Sequence, residues 1–546
     1  MSVAPDGTGG AARAWRALVV CLALAIAHTW PLSSAPWRWS MNYHADAELN
    51  AWILSWVAHA LPTAPAHLFD ANIFAPEPLT LSYSDPLIAP ALLVAPVRWL
   101  GGSPVLAFNL ATMLGLALTA WSGWFVTWRW TGSSRAALVG GALVAFNVHV
   151  LTRLAHPAAT HAWGLPLTLY FADALVERPT VRGRLWLAAI VAATAATSLY
   201  LLAFACLVAA VVAIVGSRSW PSLAAIAGGV AGGLILASPV LWPYMRLAAG
   251  GATRPVELVA QFSASAAGYL ASTSWLDARW TRAFFTNDVD VFFAGVGAIV
   301  LAAIGAASAF ASDAATRRRA IAIAVIAALG IVLSLGPSTA IYRWSYAWLV
   351  PLRGLRAAAR FGYLYLIAIA LFAAWGVAAL ERRWMSRPRV ARGVVVAALG
   401  IVTVEAWQGP VRVEPFTRVP AIYSIVADAP DPVRLVELPF YPPDAIFANG
   451  EYVFNSTAHW RPLMNGYSGF TPDSYRRRSE TFWFFPEERA FDAIRREGAT
   501  HVMVHLARFT PQEVAAIERA LDEHRDWQLL ASDPFGNRLY RIVRPQ

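Results

Sequence analysis

The chain has 546 residues, of which 58% are hydrophobic and only 14% charged, where soluble domains carry roughly 25% charged residues. That excess of apolar side chains calls for a lipid solvent and excludes an ordinary water-soluble enzyme. The formal charge is +10 and all 43 basic residues are Arg, but they gather at the ends of apolar runs, as anionic headgroups and the orientation rule require, so nucleic acid is excluded as a partner.

Apolar runs long enough to approach the bilayer thickness predict eleven transmembrane helices. They lie near 15–32, 105–128, 136–151, 161–177, 184–200, 201–216, 219–245, 290–311, 319–336, 360–380 and 391–408. The first run begins beside Arg13 and Arg16 but lacks a small-x-small cleavage site, so it reads as a membrane helix behind a cytoplasmic tail, 1–14. Cys21 and Cys206 both fall inside spans, which argues against a disulfide framework. Arg129 and Arg135, Arg178 to Arg184, Arg218, Arg317 to Arg319 and Arg382 to Arg392 occupy short alternate loops. Positive-inside orientation makes those loops cytoplasmic, with the N-terminus inside and the C-terminus outside. The hairpin at Ser198–Tyr200 has little polar material to turn it.

Between the first two spans lies an outer loop, 33–104, too long for a mere connection. In it, Ala47–Leu61 sets Leu49, Ile53, Trp56 and Val57 opposite Glu48 and Ser55, which predicts a helix lying on the membrane surface; Ala91 to Trp99 is a second candidate. A crossing at 87–100 is rejected because it holds Pro90, Pro96 and Arg98 and would invert the downstream Arg pattern. The span region runs 15–408; beyond it, 409–546 returns to a soluble composition and forms a separate domain. Arg434–Leu438, His501–His505, Trp527–Ala531 and Arg538–Val543 read as strands, and Glu487–Glu497 and Pro511–His524 as helices, the latter opened by a Thr510-Pro511 cap. The fold class expected is an α-helical polytopic membrane protein with a C-terminal periplasmic α/β domain.

Chemistry-bearing residues concentrate at the outer face. The outer loop opens with His44-Ala45-Asp46-Ala47-Glu48-Leu49-Asn50. Acids this close to a membrane are costly unless used or solvated; at a helix start Asp46 would equally serve as an N-cap. Arg153 and His156 are three apart, with His149 a turn earlier and His161 across the same short loop. Arg353, Arg356 and Arg360 lead into the tenth span, the last two spaced to share a helical face. Arg at an interface also snorkels to headgroups without catalysing anything. The histidine spacing is not a metal signature by itself; Asp288 and Asp290, at the outer entrance to the eighth span, would complete an acidic site or, as the preferred reading, stand as solvated loop acids, and Asn455-Ser456-Thr457 reads as a chance sequon. Trp30, Trp37, Trp128, Trp130 and Trp348 suit an interfacial aromatic belt, while Tyr43 and Trp52 near Asp46 would equally stack on sugars.

One acid after the first membrane helix, a long outer loop, many spans and an outer C-terminal domain resemble the GT-C superfamily of integral-membrane glycosyltransferases. The strings Asp46-x-x-x-Asn50-x-Trp52, Leu68-Phe69-Asp70-Ala71-Asn72-Ile73-Phe74, Pro76-Glu77-Pro78, Ser84-Asp85 and Phe108-Asn109-Leu110 resemble uncharacterised bacterial membrane proteins of that superfamily. So do the run from Arg353 to Phe361 and Arg461-Pro462-Leu463-Met464-Asn465-Gly466-Tyr467-Ser468-Gly469-Phe470.

The resemblance implies a sugar transferred from a polyprenyl-phosphate carrier to a lipid or glycan acceptor in the cell envelope, at the outer face of the bacterial inner membrane. It implies a loop acid as base, and the Asp-x-Glu spacing leaves Asp46 and Glu48 both open. His44, Asn50, Arg153, His156, Arg353, Arg356 and Arg360 are the substrate-binding candidates, since a guanidinium fork binds two phosphate oxygens at once. No cofactor is assigned; a divalent metal is the one addition the histidines admit. The rival readings are a transporter or flippase of lipid-linked glycans, for which Asp173 and Glu177 are the nearest intramembrane acids, and a non-catalytic assembly protein.

Overall fold

A computed structural model of the chain describes residues 7–251, 253–286 and 290–543. The first five helices are α1 (Gly7–His28), α2 (Ala45–Thr63), α3 (Ile88–Trp99), α4 (Pro104–Thr131) and α5 (Ser134–Ala145). The chain divides into two compact units, one of Met1–Ala35 with Leu110–Val411 and one of Pro36–Asn109 with Arg412–Gln546. Residues of the expected outer loop thus fold in one unit with the C-terminal segment.

The first unit is helical and belongs to a multi-pass membrane protein. Among the described residues, four helices are long and apolar enough to cross a bilayer: Gly9–His28, Pro104–Thr131, Leu199–Gly216 and Ala358–Arg383. Trp220–Leu236 and Ser238–Ala249 make a fifth if the bent pair counts as one span. Each expected span contains a helix, but 219–245 is not straight: it bends by 75° between those two segments. Pro239 has no N–H to offer the carbonyl four residues back, and Pro243 repeats the fault a turn later. The difficult hairpin does form, because the Ser198 side chain accepts from the N–H groups of Tyr200 and Leu201 and caps the second helix.

Helix packing in this unit uses small residues. A Cβ on Gly305 would collide with the backbone of Phe372, and one on Gly376 with the backbone of Leu301. These two glycines let Val296–Phe310 and Tyr363–Arg383 pack backbone to backbone, which is how helices associate where lipid supplies no hydrophobic drive. At another helix end Arg318 meets Asp173 at 2.8 Å, and Arg319 meets Asp173 at 2.7 Å and Glu177 at 2.6 Å.

The second unit is built on a four-stranded mixed sheet, ordered β3-β4-β6-β5, with β3 (Leu435–Leu438), β4 (His501–His505), β5 (Trp527–Ser532) and β6 (Asn537–Ile542). A separate two-stranded pair joins β1 (Trp39–Ser40) to β2 (Glu414–Pro415). β3 runs parallel to β4, and β6 lies antiparallel to both its neighbours. The β5–β6 turn is set by Asp533, which accepts the N–H groups of Phe535 and Asn537, and by Gly536 at φ 82. The helix Pro511–Glu523 opens on a full capping box between Thr510 and Glu513.

The loop segment is stitched to this sheet. Leu463 donates to the Asn72 carbonyl, Phe74 to that of Asn465 and Ala75 to that of Leu463, while Met464 donates to Leu435 of β3. Against that frame lies α2, and here the surface-helix expectation fails. Thirteen of its residues, Glu48 and Ser55 among them, are buried; α3 and the short helix Gly450–Asn455 pack against it, with Gly450 on Glu48. Trp52, Leu54 and Val57 are almost fully buried, each contributing about 1.5–3 kcal/mol. α3 does keep an apolar exposed side, with Leu92, Leu93 and Trp99 each about half exposed.

Candidate functional site

The acidic string forms the first turn of α2. Helix formation starts at Ala45 with His44 as N-cap, its Nδ1 accepting the Asp46 N–H at 3.2 Å. Asp46 is therefore not the cap, which corrects that alternative; it sits inside the first turn, where the helix dipole favours a negative charge. The His44 Nδ1 also lies 3.9 Å from an Asp46 oxygen, but a nitrogen accepting a backbone N–H has no proton to share, so the contact is a cap rather than an ion pair. Asn50 donates back to the Asp46 carbonyl at 2.7 Å. The Asp46 carboxylate, 28% exposed, takes a hydrogen bond of 2.6 Å from the Tyr467 hydroxyl.

Glu48, two residues on, lives in different surroundings. It packs against Gly450, which also lies against Ala45, and is 8% exposed. Burial raises its pKa from 4.5 to about 8, with Glu451 and Glu414 adding to the rise and Arg508 opposing it. At neutral pH Glu48 is mostly protonated. The two carboxyls thus differ in surroundings, Asp46 partly exposed and hydrogen-bonded by Tyr467 and Glu48 buried.

The other motif residues hold the surrounding loops. Asn72 accepts from the Trp52 indole at 3.1 Å and donates to the Arg461 carbonyl, Asp70 ties His67 to the Leu79 N–H, and Asn109 donates to the carbonyls of Pro36 and Trp39. The Asn465 side chain pairs with both backbone groups of Glu437, and Asn449 donates to the Gly466 carbonyl. Asn455 is buried on Tyr423, out of reach of a glycosylating enzyme.

The cationic candidates lie in the first unit. Arg356 and Arg360 do not share a helical face: Leu355 and Ala357 are not helical, and the long helix starts only at Tyr363. Tyr200 gathers them instead. Its hydroxyl accepts the N–H groups of Arg356 and Ala357, and the Arg360 guanidinium lies 4.3 Å over its ring. The Arg356 guanidinium stacks 4.5 Å over Phe262. Burial and the Arg360 charge pull the Arg153 pKa down to about 9, against the pull of Asp290; Arg254 is lowered by burial and by Arg356. Two pairs of like charges, Arg153 with Arg360 and Arg254 with Arg356, thus lie close enough to register, a chemistry suited to an anion. Arg254 and Tyr200 belong to this group and were not foreseen.

Arg353 has another task, donating to the carbonyls of Tyr346 and Ala347 at the end of a short helix. Arg153 also donates to the His149 carbonyl, and the His156 N–H returns to the Arg153 carbonyl. The histidines diverge: His149 stacks on Phe292, and His161 bonds the Ala111 carbonyl at 2.8 Å. Asp288 lies outside the described residues. Asp290 is not the solvated acid expected but fully buried, accepting from Ser265 and Thr286.

A family model described as a domain of unknown function, DUF6311, matches residues 16–405. The chain belongs to this family. Among solved structures it is similar to the arabinofuranosyltransferase AftD from Mycobacteria, with TM-score 0.60 and 16% identity over 97% of this chain and 40% of that one. A mutant form of AftD matches with TM-score 0.62 and 15% identity, over 98% and 42%. The archaeal oligosaccharyltransferase AglB from Archaeoglobus fulgidus, in complex with an inhibitory peptide and a dolichol-phosphate, gives TM-score 0.45 and 12% identity, over 97% and 74%. The chain spans about two fifths of the length of AftD. No curated protein sequence matches it. The expected GT-C fold is the one the chain adopts.

Proposed function

We propose that this protein is a membrane glycosyltransferase that moves a sugar from a polyprenyl-phosphate donor to a cell-envelope acceptor, a lipid or a glycan, at the outer face of the inner membrane. The observation that carries the reading is the pair of unlike carboxyls at the start of α2, a partly exposed Asp46 held by Tyr467 beside a buried, protonated Glu48. The acceptor hydroxyl attacks the anomeric carbon and gives its proton to Asp46, as the bond from that carbon to the phosphate oxygen breaks. The departing phosphate carries the negative charge away. Within the first unit, Arg153, Arg254, Arg356 and Arg360 are of the chemistry that binds a lipid-linked phosphate. His44 and Asn50 shape the turn that presents Asp46, and we keep His156 with the donor side by its place beside Arg153.

The reading carries a topology of eleven spans, with the N-terminus cytoplasmic and 409–546 periplasmic, for which the alternate Arg-rich loops are the support. Transport is the weaker alternative, because Asp173 and Glu177 are already neutralised by Arg318 and Arg319. The test is a transfer assay in proteoliposomes with a panel of radiolabelled polyprenyl-phosphate sugars and cell-envelope acceptors. Asp46→Asn should lose about 10²–10⁴ in rate, and full activity in that variant would end the proposal.

A further inference from the structure

We propose that Tyr467 is a positioning residue for the Asp46 carboxylate, so that the segment after 412 completes the candidate base site instead of serving as a separate accessory. The inference rests on the reading of Asp46 as the base. Tyr467 stands 421 positions along the chain from Asp46, yet its phenol donates to Asp46 Oδ1 at 2.6 Å, well inside the range of a charge-assisted bond.

The bond is not a chance contact of a flexible loop, because the residues before Tyr467 are fixed on three sides. Asn465 is clamped to Glu437 of β3 through both of its amide groups. The Gly466 carbonyl accepts from Asn449, whose amide also donates to Tyr475. A Cβ on Gly466 would run into the Phe74 ring, so this loop lies as close to the outer-loop segment as a backbone permits. A second glycine, Gly450, leaves no more room against Ala45 and Glu48 in the first turn of α2. Sheet, loop and helix therefore fix the distance between the Tyr467 hydroxyl and Asp46.

An O–H donated to a carboxylate favours its charged form and locks its rotamer. Tyr467 thus favours the charged form of Asp46 and aims it, and the bond weakens once Asp46 has taken the acceptor's proton. The other titratable and charged groups around this turn are the N-cap His44, Glu48 on α2 itself, Glu451 on the helix Gly450–Asn455, Arg508 paired with Glu451, and Glu414 of β2.

Tyr467→Phe removes the donor and keeps the ring. Carbodiimide footprinting of the full chain in detergent, read by mass spectrometry, reports protonation of Asp46 without requiring turnover. The midpoint of Asp46 labelling should rise by about one pH unit in Tyr467→Phe, the size of one hydrogen bond to a charged group. The acid limb of kcat should rise with it, while KM for the lipid-linked donor stays within about twofold. Fluorotyrosine at 467, a stronger donor of nearly the same shape, should move the midpoint the other way and serves if the Phe variant misfolds. An unmoved midpoint in both variants overturns the positioning role. A shifted midpoint in a chain that transfers no sugar from any donor overturns the reading of Asp46 as base and leaves the contact standing.

Discussion

Replacing Glu48 by Gln should make the protein more stable in alkali and leave the proposed chemistry intact. The carboxyl is buried, so the folded state binds its proton more tightly than the unfolded chain does. A folded-state pKa raised in this way means that stability is fully present below about 4.5 and is lost as pH rises toward about 8. The gap between those values sets a ceiling on the order of 5 kcal/mol at 1.36 kcal/mol per pH unit. Between pH 6 and pH 9 only the upper part of that gap is crossed, about two pH units, so the loss there is about 2–3 kcal/mol. Gln keeps the shape and cannot ionise, so Glu48→Gln escapes that loss. Thermal unfolding in detergent should show the wild-type midpoint falling between pH 6 and pH 9 by roughly 5 °C more than the variant's, at about 2–4 °C per kcal/mol. Sugar transfer at pH 7 should stay within a few-fold of wild type. Parallel falls of the two midpoints would refute the buried, protonated state, and a stable but inactive Glu48→Gln would move the base from Asp46 to Glu48.

Asp46→Asn should abolish most transfer, by about 10²–10⁴, with an unchanged thermal midpoint, since the cap that starts α2 comes from His44. Arg356→Ala, Arg360→Ala and Arg254→Ala should each weaken use of the lipid-linked donor more than they weaken folding, as read by KM against thermal midpoint. Lys at these positions should rescue only in part, keeping charge but losing the planar fork. A reporter fused after Gln546 should be active only when periplasmic, and one fused after Arg319 only when cytoplasmic. Asp173→Asn should lower the thermal midpoint by leaving Arg318 and Arg319 short of a partner, the equivalent of about 3–5 kcal/mol for a broken buried pair.

Much of the fold is legible where one local rule acts alone. Alternation and turn chemistry place the four strands of the main sheet within one residue of their observed ends, and a Thr-Pro pair places a helix start to the residue. Each apolar run marks a helix because burying its backbone in lipid leaves few other structures. What fails needs information from a second segment. The 75° bend depends on where two prolines fall relative to carbonyls a turn earlier, which a hydropathy window averages away. α2 looked two-faced because Glu48 and Ser55 are polar, but which face meets solvent is decided by what packs there, and Gly450–Asn455 lies about 400 residues downstream.

The candidate site divides along the same line. Asp46 stood out because an acid beside a membrane is expensive, and the arginines because guanidinium suits phosphate; both inferences need only residue type and place. Tyr200, Arg254 and Tyr467 are invisible to that reasoning, since each acquires its meaning from a partner far off in sequence: Tyr200 from Arg356 and Arg360, Arg254 from Arg356, and Tyr467 from Asp46. One signal did exist. The string Asn465-Gly466-Tyr467 joins a residue able to clamp a backbone, a residue without a Cβ and a residue with a terminal hydroxyl, the order needed to bring a loop close and present a donor. The choice between Asp46 and Glu48 illustrates the limit: spacing treats them as equals, and only the neighbour that covers one of them separates a partly exposed acid from a buried one.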